Sequence, residues 1–336
     1  MSPRHVFIIV LLLACRSVAA RGDVAPQFVR GMTVSCQTWG REWGTDEMVE
    51  AMRQVRDLGV NWITIHPYAE VRGDGSVVMP SRFYDRPDWL TRPIREAHAL
   101  GMKIMIKPHL AYWGSPFSWR GEIEFDDDEQ WRRFFEQYEA WMRRLVTICG
   151  RADALVVGTE LDRTVQRQRE WRRIIEAMRT RFEGPITYSA NWTDYEKVPF
   201  WDALDVIAIQ AYFPLVDEPG LPRVADLDQG WSRLLDRIDA FSRRHNRKVV
   251  FAELGYDLSE RAATRPWEDG GGGNADEAVR IQRRCLDAAL RAVSRSECMA
   301  GVFLWKWFPG SSRNENFLMS TPSMRTVIEE HWAKGR

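Results

Sequence analysis

Leu155-Val156-Val157-Gly158-Thr159-Glu160-Leu161 and Val249-Val250-Phe251-Ala252-Glu253-Leu254 share one layout, a short apolar run that closes on a glutamate. A run that is apolar at successive positions is expected of a strand covered on both faces, as in a parallel sheet wrapped by helices. An unpaired carboxylate is expensive to bury. A glutamate at such a strand end must therefore be solvated, paired or functional, and two at matching places argue for function.

Outward from these runs, strand and helix signals alternate along the chain, the pattern of a parallel α/β fold. Strands are expected at 28–36, 60–68, 102–110, 154–161, 185–191, 205–212, 248–256 and 299–308, so the two glutamates close the fourth and seventh. The first helix is expected to start at Thr45 as N-cap, with Asp46 and Glu47 complementing its dipole. Gly59 would end it. The spacing of Trp131, Phe134, Phe135, Tyr138, Trp141, Met142 and Leu145 gives a helix face packed on the sheet. Val279, Leu286, Leu290 and Val293 give another. The segment after the fifth strand reads as a short, weak helix. Eight units within residues 24–336 point to a single-domain (β/α)8 TIM barrel. An open doubly wound sheet would be expected to carry a Gly-rich phosphate turn after its first strand, and Gln37-Thr38-Trp39-Gly40 is no such turn.

The N-terminus reads as a leader. Arg4 and His5 precede the apolar run Val6 to Ala14, which is too short for a transmembrane helix. Residues 1–20 have the layout of a secretory signal peptide, with small residues at Ser17-Val18-Ala19-Ala20. Leu12-Leu13-Ala14-Cys15 resembles a bacterial lipobox, which would leave a lipid anchor on Cys15. The expectation is a secreted or periplasmic protein, either free or tethered as a lipoprotein. Acidic and basic residues balance at 47 each, so nothing suggests nucleic acid or an anionic membrane as ligand. Cys36, Cys149, Cys285 and Cys298 show no C-x-x-C spacing, and the sequence leaves their pairing open.

Active sites of such barrels lie at the C-terminal strand ends, which makes Glu160 and Glu253 the candidate catalytic pair. Paired carboxylates suit retaining glycoside hydrolysis. One attacks the anomeric carbon while the other first protonates the leaving oxygen and then deprotonates water. Other strand ends offer a sugar site. Tyr212 could orient Glu253, and Trp305 could form a platform for a sugar ring. Lys107, His109, Asn191 and His66 could meet hydroxyls, and Trp39, Trp113, Trp192 and Trp307 could extend the cleft. The 16 tryptophans fit such stacking, since a barrel core is filled mainly by branched aliphatics. A metal-dependent hydrolase would need converging His and Asp ligands, often with two His on the first strand. That strand ends Thr33-Val34-Ser35-Cys36-Gln37, so neither metal nor cofactor is expected.

The sequence is similar to glycoside hydrolase family 113, β-mannanase-like enzymes within the clan A retaining glycosidases. The resemblance rests on Thr38-Trp39-Gly40 through Leu58-Gly59-Val60-Asn61-Trp62, Ile106-Lys107-Pro108-His109, Val157-Gly158-Thr159-Glu160-Leu161 and Tyr188-Ser189-Ala190-Asn191-Trp192. Phe200-Trp201-Asp202, Ala211-Tyr212-Phe213-Pro214 and Phe251-Ala252-Glu253-Leu254-Gly255-Tyr256 extend it over nearly the whole barrel. It implies an endo-β-1,4-mannanase with Glu160 as acid/base and Glu253 as nucleophile. The alternatives are a glycosidase or transglycosylase acting on another β-glycan, or a catalytically silent sugar-binding barrel. Many clan members carry Asn before the acid/base, where it contacts the sugar 2-hydroxyl; this chain has Thr159.

Overall fold

The computed structural model describes residues 27–80, 85, 87–268, 270, 275–312 and 316–333. The expected leader at 1–20, with the lipobox-like Cys15, lies outside them. Eight parallel strands close a barrel: β1 (Val29–Val34), β2 (Trp62–Ile65), β3 (Lys103–Ile106), β4 (Ala154–Thr159), β5 (Ile186–Asn191), β6 (Ile207–Gln210), β7 (Val249–Leu254) and β8 (Met299–Trp307). Each pairs with its neighbours in sequence, and β8 closes on β1. The connecting helices are α1 (Asp46–Asp57), α2 (Asp88–Ala99), α3 (Asp128–Cys149), α4 (Gln168–Arg179), α5 (Val224–His245), α6 (Ala275–Arg295) and α7 (Pro322–Trp332). After β5 the expected weak helix is two short 3₁₀ turns, Tyr195–Lys197 and Trp201–Ala203.

Two expected strands are shorter than their apolar runs because the chain leaves the barrel. After β2 it turns at His66-Pro67 into Tyr68–Val71, and after β3 it turns at Lys107-Pro108 into His109–Ala111. Proline has no N–H to give to a ladder, so each Pro breaks its strand. These segments join Val77–Val78 in a three-stranded side sheet above the barrel. That sheet lifts Tyr68 and His109 over the barrel mouth.

Alternation along the strands separates two cores. Met105, Val156, Ala208, Val250, Ala252 and Phe303 fill the barrel interior as one cluster. Their sequence neighbours face out to the helices, where the α3 stripe from Trp131 to Leu145 is buried as expected. Asp127 caps α3 by accepting a 2.8 Å hydrogen bond from Gln130 N. Thr45 stands at the N-cap of α1, but its hydroxyl donates to the Glu42 carbonyl and does not cap. The α6 face is also rotated from expectation. Ala278, Ile281, Gln282 and Cys285 join Leu286, Leu290 and Val293 inside, while Val279 is exposed. All four described cysteines are free thiols.

Gly158 permits the tight packing behind β4, since a Cβ there would lie 2.6 Å from the Trp171 ring and 2.9 Å from that of Tyr188. Strand irregularities then aim the side chains that matter. β4 and β7 both shift register just before their glutamates, at Val156/Thr159 against β5 and at Phe251/Glu253 against β6. Such bulges re-aim side chains and recur beside active sites. β8 carries an extra residue between Leu304 and Trp307 relative to β1. Simple alternation would put Trp307 on the inner face with Trp305. The shift turns Trp307 outward instead, buried under Arg325 of α7 at 5.5 Å. The expectation that Trp307 extends a cleft is therefore corrected.

Candidate active site

The C-terminal strand ends enclose an open cavity of about 630 Å³. Glu160, Asn191, Tyr212, Glu253 and Trp305 line it from the strand ends, and His109 from the side sheet. The two glutamates thus share one chamber, as their matching sequence positions suggested.

Glu253 is nearly sealed from solvent and fully partnered. Tyr212 Oη donates to its Oε2 at 2.7 Å, and Lys107 Nζ donates to its Oε1 in a buried ion pair. Lys107 also donates to the Ala252 carbonyl at 3.2 Å and lies 5.1 Å from the centre of the Trp305 ring. Burial pushes the Lys107 ammonium below its usual range against the pull of Glu253. Lys107 does not line the cavity, so its place is beneath the carboxylate rather than beside a sugar hydroxyl.

Glu160 follows β4 in the left-handed region, with φ 52°. That conformation costs a non-glycine residue about 1–3 kcal/mol and persists only where neighbours hold it. They do: Glu160 N donates to Ser189 O at 2.9 Å, and Leu161 N donates to Tyr188 Oη at 2.9 Å. The Glu160 Oε2 accepts from Arg120 Nη1 at 2.9 Å. Burial raises the Glu160 pKa, and the nearby Glu253 charge adds to it, while Arg120 and Lys107 oppose. A raised carboxyl pKa is what a proton donor needs.

The remaining expected residues divide by depth. His109 stacks on His66 with ring centres 4.9 Å apart. Burial pushes both imidazoles well below their usual range, which leaves them neutral. His66 is fully buried, bonded to Ser35 Oγ at 3.1 Å, and lies below the cavity wall, where it supports His109 and Trp305. Trp192 lines the cavity and stacks on Trp267 at 5.2 Å. Trp39 sits behind the opposite wall, edge-on to Tyr68 at 5.9 Å and to the exposed Trp113 at 6.2 Å. The Thr159 hydroxyl is sealed from the cavity and has no hydrogen-bond partner among the described residues.

Sequence reading missed the loop contributions. Arg120, Trp119 and Tyr112 reach the cavity from the long β3–α3 connection, Tyr68 from the side sheet, Trp267 from the β7–α6 loop and Phe317 from the β8–α7 loop. Their signal was aromatic residues, one flanking an arginine, within predicted loops, but attention to strand ends passes over it. Among the described residues no three His, Cys, Asp or Glu side chains group as a metal site.

Asp162, two residues past Glu160, accepts a hydrogen bond from the Asn191 amide, and burial with the charges of Glu160 and Asp194 pushes it up to about 8. Its folded value exceeds the ordinary aspartate value near 4. The native chain therefore holds a proton there that the unfolded chain has released, and the contribution of Asp162 to stability falls as pH rises from about 4 through about 8. Asp162→Asn, neutral throughout, should flatten that decline and melt a few degrees higher than the parent at pH 8. Melting curves from pH 4.5 to 8.5 check this; parallel declines in both proteins would contradict it.

Solved structures of similar fold include those of glycosidases. A GH113 β-1,4-mannanase complex matches with TM-score 0.78 at 22% identity, over 91% of this chain and 99% of that one. The GH113 β-mannanase AaManA from Alicyclobacillus acidocaldarius, in complex with ManMIm, matches with TM-score 0.78 at 24% identity, over 91% and 97% of the two chains. A Ruminococcus gnavus β-glucuronidase matches more distantly, with TM-score 0.60 at 13% identity over 91% of this chain and 50% of that one. No curated protein matches the sequence. The sequence model of Glycoside Hydrolase Family 113 matches residues 32–317, from the first barrel strand to the loop that brings Phe317 to the cavity. A match over that much of the barrel and its carboxylate-lined mouth places the chain in glycoside hydrolase family 113, as a glycoside hydrolase.

Proposed function

We propose that this chain is a retaining endo-β-1,4-mannanase, with Glu253 as nucleophile and Glu160 as general acid and base. The observation that carries the reading is the unequal setting of two glutamates in one cavity. Glu253 is held by a cation and a phenol at its two oxygens, which favours a fixed carboxylate. Glu160 is raised by burial and by the facing charge, which favours a proton to donate. In the first half-reaction Glu253 attacks the anomeric carbon as Glu160 protonates the departing oxygen. In the second, Glu160 takes a proton from water, which displaces Glu253 and restores the anomeric configuration.

The polymer is suggested by family relatives described as β-1,4-mannanases. An open cavity walled by Trp192 and Trp267 on one side and by Tyr68 and Tyr112 on another suits a chain of sugars entering mid-length. The leader-like N-terminus accords with export to where such polymers are met. The test is product analysis on β-mannan, β-glucan and xylan, with the anomeric form followed by NMR. Mannan oligosaccharides of several lengths, released first as the β-anomer, are expected. An α-anomer as first product would refute retention, and cleavage of glucan or xylan alone would refute the mannan assignment.

A further inference from the structure

We propose that Arg120 is a positioning residue for the acid/base: its ion pair with Glu160 holds that carboxyl in place and favours the anionic form that activates water. The proposal rests on the role given to Glu160 above.

The geometry is a built one. Arg120 begins the short turn Arg120–Glu122 in the β3–α3 connection and is itself largely buried. Its Nη1 donates to Glu160 Oε2 at 2.9 Å, its Nε donates to the Leu110 carbonyl at 3.3 Å, and its guanidinium lies 5.8 Å from the centre of the Tyr112 ring. The side chain is thus anchored at a carbonyl of the side sheet and against an aromatic face, with one N–H directed at the carboxylate. Arg120 pairs with Glu160 as Lys107 pairs with Glu253.

That pairing has a consequence over the catalytic cycle. The charged groups acting on Glu160 are Arg120 from the loop, Glu253 from β7 and Lys107 after β3. Asp162 beyond β4, Tyr188 of β5 and Tyr212 after β6 also couple to it. In the resting site two carboxylates face two cations. When Glu253 becomes a glycosyl ester its charge is gone, while Arg120 and Lys107 remain. Glu160 then faces an excess of positive charge, and its carboxylate form is favoured at the step that needs a base. An opposite charge at this range shifts a carboxyl by about 1–3 pH units. Desolvation in the resting site works the other way, so the acid form stays within reach for the first step.

Carbon-13 NMR of glutamate-labelled protein, with the Glu160 carboxyl assigned from Glu160→Gln, reads its titration midpoint without turnover. Arg120→Met should raise that midpoint by about 1–3 pH units, and Arg120→Lys should keep it near the parent value. With 2,4-dinitrophenyl β-mannoside, whose leaving group needs no proton, Arg120→Met should form the glycosyl-enzyme normally but hydrolyse it slowly at neutral pH. A burst followed by a depressed steady rate would show this. If Arg120→Met does not fold, Arg120→Gln, which keeps an N–H but no charge, serves the same comparison. A folded Met or Gln variant titrating at the parent midpoint overturns the proposal. Full hydrolysis by Glu160→Gln would instead overturn the acid/base assignment, and the NMR midpoints would still decide what Arg120 does to Glu160.

Discussion

Glu253→Gln is expected to reduce kcat by at least about 10⁴-fold, the scale seen when a covalent nucleophile is removed from a preorganised site. Its amide oxygen can accept from Lys107 while its amide nitrogen donates to the Tyr212 hydroxyl, so near-UV circular dichroism should be unchanged, although loss of the charge that matches buried Lys107 lowers Tm. The sharper test uses Glu253→Ala and Glu160→Ala with azide and an activated aryl β-mannoside. Without Glu253, azide can attack the anomeric carbon only from the face the carboxylate vacated, giving the α-glycosyl azide. Without Glu160, the activated substrate still forms the covalent intermediate, and azide displaces Glu253 to give the β-glycosyl azide. Opposite products from the two variants are the expected result. The reverse assignment would exchange them, and substantial hydrolysis by Glu253→Gln would remove Glu253 from the mechanism.

Lys107→Met should affect stability and activity together. The Lys107 and Glu253 side chains are 0% and 6% exposed, and removing one partner of a buried pair costs about 3–5 kcal/mol because the other charge is left unmatched. A fall in Tm on the order of 10 °C follows for a domain of this size. The nucleophile also loses a donor that fixes its Oε1, so kcat/KM should drop on the order of 10²-fold. The double variant Lys107→Met with Glu253→Gln separates the effects. With both charges gone it should recover much of the lost Tm and remain inactive. A double variant that melts no higher than Lys107→Met would mean that packing, not the unmatched charge, sets the loss.

Much of this architecture was legible in the residues. Runs such as Val249 to Leu254 announce strands buried on both faces, and Gly59 marks a helix end through local backbone chemistry. Glu160 and Glu253 were readable for the same reason, since a carboxylate closing an apolar strand has few inexpensive explanations. Trp307 and Val279 were misplaced because their faces depend on a register shift in β8 and on how α6 is rolled against its neighbours. Neither is encoded by periodicity.

Local sequence thus determined the barrel, the strand-end positions of both carboxylates and the family resemblance, because propensity, alternation and burial cost act over a few residues. Tertiary structure alone decided which cation meets which carboxylate. Arg120 lies 40 residues from Glu160, and Lys107 lies 146 from Glu253. Contacts over such separations arise only when barrel closure and the side sheet bring distant loops together, and they set the charge balance that distinguishes two otherwise similar glutamates.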